Sequence, residues 1–550
     1  MKTLNCTLIL ICVLLGNTLS AQTNFTASLA ADQEVQTLYG NICCFYRVNL
    51  ATDADGNAYV LSQKSSDSSI WVTKFNSSGT PLFNTRVGVL GFETDYRYFA
   101  KKIRVYDDII YVLCTTIFDP LVGERQTIYT VNKNSGALLS TLSFFEAGTG
   151  YLTELVDLVR VGSTLYLTGN TRDTIAVGPG SLKIMVMVTD LNFSGAVYTN
   201  LGNAASTNYS INTESNAVTV HNGTLYLTGE SVTGGTNSKI FIAKITNGGA
   251  WTEYIYSNSA YSLGGKGLNL AAENNFIYLA GSLRASLKQT FRTTVLKIDT
   301  SLSTLAWVSV SKNSIWPLGI GLTSGDVIYT VDYAFKVVGF SKSTGGQLFA
   351  KNDFRNYTQV YNQPVNISVL NNDQLILQGT MGTKVSRLAS TTKIVAKYST
   401  SGNRVYLQEE PLSLVAAGQP GFATALGLAY ASGTDYLYDL YLKYSSAGQF
   451  VYLNGKVSTT SLRIAAEEQA AVSGLYIYPN PATTSLNIRS DERIVHWTVY
   501  NSISQVVADG NSADQELEMD CGKLTNGIYF IKAITCSGTV MNRKFVIHRY

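Results

Sequence analysis

Thr164-Leu165-Tyr166-Leu167-Thr168-Gly169 returns almost unchanged as Thr224-Leu225-Tyr226-Leu227-Thr228-Gly229, and Phe276-Ile277-Tyr278-Leu279-Ala280-Gly281 is a third copy. Looser copies centre on Tyr59, Tyr111, Tyr329, Ile376 and Tyr430, so successive centres lie 52, 55, 60, 52, 51, 47 and 54 residues apart. Each copy sits in a wider unit. A strand ends in a polar turn such as His221-Asn222-Gly223, and the quoted strand follows. After a variable loop comes an alternating strand such as Ile240 to Ile245 or Lys393 to Tyr398, and then a turn such as Ser399 to Asn403 leads into a fourth strand, Arg404 to Leu407. Short alternating segments separated by Gly, Asn and Ser turns are hairpin grammar.

A four-stranded sheet cannot cover both of its own faces, so units repeating every fifty residues or so must stack on their neighbours around a common axis. The reading is all-β: a β-propeller of eight blades, with seven plus a degenerate pair as the rival count, followed by a small antiparallel β-sandwich. The units resemble bacterial β-propeller repeats whose pattern is a strand, D-x-x-G-N-x-Y-V, a loop, then a-K-x-x-x-x-G. Residues 53–60 (DADGNAYV) and Trp71 to Gly79 (WVTKFNSSG) carry that resemblance best. The eighth unit, centred on Tyr430, lacks a clean first strand, and residues 22–46 are expected to supply a ring-closing strand. The propeller is placed at 47–455 and a small, polar linker at 456–474.

From Leu475 the character changes. Leu475-Tyr476-Ile477-Tyr478-Pro479-Asn480-Pro481 precedes Leu486-Asn487-Ile488, and Trp497 to Asn501, Gly527 to Lys532 and Arg543 to Tyr550 follow in order. Residues 475–550 resemble the type A C-terminal sorting domain of the type IX secretion system, with Tyr478, Pro479, Asn480 and Pro481 as its opening motif. The resemblance implies an address: the type IX machinery as partner, and a destination on the outer surface of a Gram-negative bacterium or beyond it. Period-two segments between Gly and Asn turns independently suggest a small sandwich. The prolines, which have no N–H, suit a strand edge.

The other end agrees. Lys2, the apolar run Leu8 to Leu15 and the small residues up to Ala21 read as a signal peptide over 1–21, cleaved before Gln22. No other stretch reads as a transmembrane segment. The chain is 45% hydrophobic, 14% charged, rich in Tyr (34), Phe (21) and Gly (46), with a formal charge of +3. It has no dense Lys/Arg run, which argues against nucleic acid. Five cysteines follow the leader. Cys521 and Cys536 could bridge within the C-terminal module, or remain thiols, and Cys43 or Cys44 could bond Cys114.

Chemistry is sparsely signalled. Of three histidines only His221 falls in the propeller, in a turn, which is too little for an imidazole metal site or a triad. Asp53-Ala54-Asp55-Gly56-Asn57 resembles half a calcium loop but reads as a hairpin turn. The vicinal Cys43-Cys44 suggests a quinone enzyme, yet the regular tryptophan motifs of that class are missing, and Trp251 and Trp307 read as packing residues. No metal and no cofactor are expected.

The longest second-to-third-strand loops, Thr115 to Gln126, Asn170 to Lys183, Ser231 to Ser238 and Ser282 to Arg292, gather on one face. Loops held by a rigid scaffold are where binding residues concentrate. They bring Glu124, Arg125, Arg172, Asp173, Arg284, Lys288 and Arg292 there, and Trp316 in the inter-blade stretch offers an aromatic platform. The expected function is a secreted or surface propeller binding an extracellular glycan or protein. The alternative is a polysaccharide hydrolase or lyase with acids at the channel; whether the chain is an enzyme at all is uncertain, and more readily no than yes.

Overall fold

The structure, a computed structural model, describes residues 25–548 except 30–32, 35–48, 65–68, 90–98, 118–123, 145–150, 174–181, 195, 202–206, 212–216, 234–236, 247–248, 262, 286–290, 312–315, 333, 355–362, 386–387, 410–422, 446–447, 458–474, 491, 502–504 and 537–539. Cys43 and Cys44 therefore lie outside the described residues, as does most of the proposed linker. The chain divides into two compact units, Met1–Ser461 and Leu462–Tyr550.

The first unit is eight antiparallel sheets in chain order. Blade 5 shows the pattern: first strand Gly264–Glu273, second Phe276–Arg284, third Arg292–Asp299, fourth Leu305–Val310. Each sheet packs on the next through an apolar cluster shared by the two. Tyr59 and Ile70 of blade 1 meet Ile103 and Val112 of blade 2. Tyr226 and Ile240 of blade 4 meet Ile277 and Leu296 of blade 5. The series closes on itself, because Ala58 and Val60 of blade 1 share a cluster with Tyr438 and Leu440 of blade 8. Eight sheets and eight shared clusters make a closed eight-bladed propeller.

The last blade explains the irregularity at the end of the repeat. Its first strand is Ala423–Ala431, its second Tyr436–Ser445 and its third Gly448–Val457. What it lacks is a fourth strand, and Phe25–Ser28 fills that position, pairing with Tyr452 to Gly455. The sequence reading had assigned the gap to the first strand and centred the unit on Tyr430. Tyr430 is on the first strand, and Tyr438 occupies the position of Tyr59, Tyr111, Tyr166, Tyr226, Tyr278 and Tyr329 in the other second strands. Lys456 and Val457, placed in the linker from sequence, complete the third strand.

All eight first strands are interrupted at one level. Six carry a one-residue register shift, as between Ala100 and Lys102 or Gly267 and Asn269. Blades 1 and 4 divide the strand, into Gln33–Glu34 with Leu50–Thr52 and Thr207–Ser210 with Val218–His221. A bulge leaves a carbonyl unpaired in the ladder, and polar side chains of the preceding blade reach that level. Lys102 donates to the Val156 carbonyl at 3.0 Å, Asn269 to that of Pro317 at 3.2 Å and Asn366 to that of Leu428 at 2.8 Å.

The second unit pairs a three-stranded sheet (Leu475–Tyr478, Ser485–Ser490, Glu516–Asp520) with a four-stranded one (Val506–Asn511, Ile494–Asn501, Gly527–Thr535, Val540–Ile547). Leu486, Ile488, Val499, Ile531 and Phe545 fill the core between them, giving a sandwich.

Candidate functional site

On the face where second strands end and connections between blades cross, one corner of blades 4 to 6 gathers aromatic rings and charges. Trp316 ends the connection into blade 6. It is partly exposed and its φ is +32°, in the left-handed region that a bulky residue rarely enters. The Phe291 ring meets it edge-on, with centroids 5.1 Å apart at 89°. Lys266 Nζ lies 5.7 Å from the Trp316 centroid and 3.0 Å from Glu230 Oε2 of blade 4. Glu230 Oε1 also accepts from Ser210 Oγ at 3.1 Å. The Arg284 guanidinium stands 5.3 Å over Phe291, and Arg292 lies across the ladder from Leu283.

Three of the residues expected from sequence, Arg284, Arg292 and Trp316, thus share this corner. Lys266, Glu230 and Phe291 were missed. The only sequence signal for Lys266 is its place in the Gly264-Gly265-Lys266-Gly267 run, where small residues let this strand pack closely on Thr228 and Ile240 of blade 4. Arg125, Arg172 and Asp173 are on blades 2 and 3, outside this corner. They were expected in loops, but the hairpins continue through them: Arg125 pairs with Thr116, Arg172 with Leu152 and Leu182, and Asp173 with Tyr151. The period-two pattern of ERQTIY and TLYLTG simply runs on, so the ladder extends to the strand ends.

Elsewhere the polar groups singled out from sequence are engaged internally. Asp53 accepts from Tyr59 Oη at 2.7 Å and from Asn57 N at 2.9 Å, and Lys133 Nζ lies 3.8 Å away. Burial raises its pKa, but these hydrogen bonds and the lysine outweigh burial and leave it lowered. The half calcium loop is thus a hairpin turn whose carboxylate serves its own blade, and no cluster of three metal-ligating side chains occurs among the described residues. His221 contacts the Asn274 carbonyl of the next blade. On the first strands, Asp157 is buried between Lys102 and Arg104, each at 2.8 Å. Burial disfavours its charge, but the two cations prevail and hold the carboxyl well below the usual range.

In the second unit the Tyr478-Pro479-Asn480-Pro481 motif joins the start of the module to its last strand. Val546 N donates to Asn480 Oδ1 at 2.9 Å, Ala482 N to the Val546 carbonyl at 2.8 Å, and His548 N to the Ala482 carbonyl at 2.9 Å. Tyr478 Oη bonds Glu516, on the other edge strand of the same three-stranded sheet. Both X–Pro bonds are cis. The proposed Cys521–Cys536 bridge is absent. Cys521 is buried in the core with Sγ 3.7 Å from the Met519 carbonyl, whereas Cys536 is exposed just past the strand Gly527–Thr535, held by its N–H to the Arg493 carbonyl. The two thiols therefore occupy opposite environments, interior and surface.

Comparison with known proteins gives the following. A search of curated proteins finds no match. Among solved structures, the crystal structure of BamB from Moraxella catarrhalis superposes with a TM-score of 0.43 and 11% identity, covering 78% of this chain and 99% of that one. The computationally designed Ika8 protein superposes with a TM-score of 0.40 and 12% identity, covering 76% and 99% respectively. Residues 476–548 match the family described as the secretion system C-terminal sorting domain. The second unit is accordingly a type IX secretion sorting domain, and the chain is an all-β propeller protein addressed through that machinery.

Proposed function

We propose that the propeller is a binding scaffold, delivered to the cell surface or the medium, which engages a glycan or a protein through its long-loop face. The observation that carries this reading is the corner around Trp316: an aromatic platform with cations beside it, held by strands on a face where loops converge. The sorting domain supports it by placing the ring where extracellular polymers and neighbouring cells are the available ligands. Purified chain from Gln22 onward, screened against a broad array of glycans and surface proteins, is expected to show saturable micromolar binding. An empty screen at that concentration would count decisively against the scaffold reading.

A further inference from the structure

We infer that the outer face of the four-stranded sheet in the sorting domain is the surface by which the secretion machinery reads it. The inference goes beyond the ligand-binding reading of the propeller and does not depend on it.

A sandwich of two antiparallel sheets buries the inner face of each, and the outer faces are ordinarily polar. The strand Gly527–Thr535 departs from that rule. Its inward positions Tyr529, Ile531 and Ala533 are buried as the core requires, yet its outward positions begin with Ile528 and Phe530, which are 43% and 45% exposed. The register carries the exception across the whole sheet. Phe530 lies between Tyr500 and Lys544, and Tyr500 lies opposite Val506, which is 56% exposed. Ile528 lies opposite Val546. Residues directly opposite in an antiparallel pair share a face, so Val506, Tyr500, Phe530, Ile528 and Val546 make one apolar patch. Beside it the polar character returns, with Thr498, Asp509 and Lys532 in one row.

The outer face of the three-stranded sheet gives the contrast. Its middle strand presents Asn487 and Arg489, and one edge presents Glu516, Glu518 and Asp520, in the ordinary pattern. Its apolar area is confined to Tyr476 and Tyr478 on the other edge.

An exposed apolar patch rimmed by polar residues marks a protein contact. The domain's family names the partner, since a sorting domain acts only by being recognised by its secretion system. Lys544 closes the apolar row and Lys532 stands beside it, so the complementary surface is apolar with carboxylates at its rim. The opening motif bears on the same place. Val546 N donates to Asn480 Oδ1 and the Val546 carbonyl accepts from Ala482 N, so the motif fixes the strand that carries Lys544 and Val546.

Export of the full chain from a Gram-negative host with type IX machinery tests this, read as the ratio of exported to periplasmic protein. Ile528→Glu combined with Phe530→Glu should lower that ratio about tenfold or more, as loss of a central anchor does, whereas Phe530→Leu should change it less than about twofold. Glu518→Lys, on the opposite face, should leave it unchanged. Thermal midpoints of the purified full chains separate lost recognition from lost folding. If the glutamate pair unfolds the domain, Ile528→Thr with Phe530→Thr, which keeps strand propensity, takes its place. Undiminished export of a folded double variant, an equal loss from Glu518→Lys, or a Phe530-dependent dimer of the purified chain overturns the assignment. None of these outcomes touches ligand binding by the propeller, which the array screen reads separately.

Discussion

Lys74, Lys297 and Lys397 occupy one position of the repeat, and the first two use it alike. Lys74 Nζ donates to the Lys133 carbonyl of the next blade at 3.1 Å, and Lys297 Nζ to the Lys342 carbonyl at 3.0 Å. Each also stands over the tyrosine of its own second strand, Tyr59 or Tyr278. The receiving carbonyl lies one residue past the third strand of the following blade. Lys397 is buried, and burial pushes its pKa down to about 8 despite the Asp435 charge. In the unfolded chain it titrates near 10.5. A lowered lysine pKa means the unfolded state holds the proton through that window, so stability rises with pH between about 8 and 10.5 and the burial penalty is fully present below 8. Lys397→Met should therefore stabilise the ring at pH 7 by roughly 1–3 kcal/mol and flatten the pH dependence above 8. Urea unfolding of both proteins from pH 7 to 9.5 gives the comparison; parallel curves would reject the assignment. Sequence could mark this lysine as part of a repeat, but not the depth of its burial, which the packing of neighbouring sheets sets.

At the scale of the strand and turn, the positive-φ glycine of the turn after a third strand has a partner that lies far away in sequence. Gly136, Gly345 and Gly402 all have positive φ, and a Cβ there would lie 2.7, 2.7 and 2.4 Å from Phe83, Trp307 and Phe349 respectively. Each aromatic is on the fourth strand of the preceding blade, so the turn is shaped both for its own backbone and for a neighbour's ring. Gly345→Ala meets both penalties and should cost about 2–3 kcal/mol. The adjacent Gly346→Ala, which meets only the Thr344 side chain at 3.3 Å, should be nearly neutral. Repeating Gly345→Ala in a Trp307→Ala background removes the clash and should leave roughly 1 kcal/mol of backbone strain. An unchanged cost would mean that the ring is not what the glycine accommodates. The turn itself was legible, since Gly and Asn announce positive φ. The facing ring was not, because it lies in a different unit. Nor were the bulges in the first strands, which leave no mark in a pattern of apolar and polar residues. The sorting module was the opposite case: its motif order identified it, and the structure adds that Asn480 works by holding the final strand.

For the whole molecule, stacking was readable because every blade interface needs the same apolar strand, and eight copies of it are visible. Closure was harder. The last repeat looked damaged, and the damage was assigned to its first strand because Tyr430 sits in a plausible tyrosine-centred segment. The true defect is a missing outer strand, and Phe25–Ser28 repairs it from the far end of the chain, while Gln33–Glu34 pair within blade 1. The repair is tied inward. Thr26 Oγ1 donates to Asn454 Oδ1 at 2.9 Å, and Asn454 donates to Asp439 at 3.2 Å. Asp439 pairs with Lys393 at 2.7 Å, both fully buried between blades 7 and 8. The closing strand thus shields one end of a buried charge network as well as completing a ladder. A chain lacking residues 22–28 should lose the four-residue pairing and that shield, about 2–4 kcal/mol at roughly 1 kcal/mol per net hydrogen bond. Thr26→Ala alone should lose only a small part of it. Because blades 7, 8 and 1 meet at this seam, the loss should appear first as amide exchange in Tyr436–Ser445 and Gly448–Val457, ahead of blades 4 to 6. Exchange that rises evenly around the ring would show that the eight interfaces act as one cooperative unit with no seam, and that closure by the N-terminal strand contributes no more than any other four residues of outer strand.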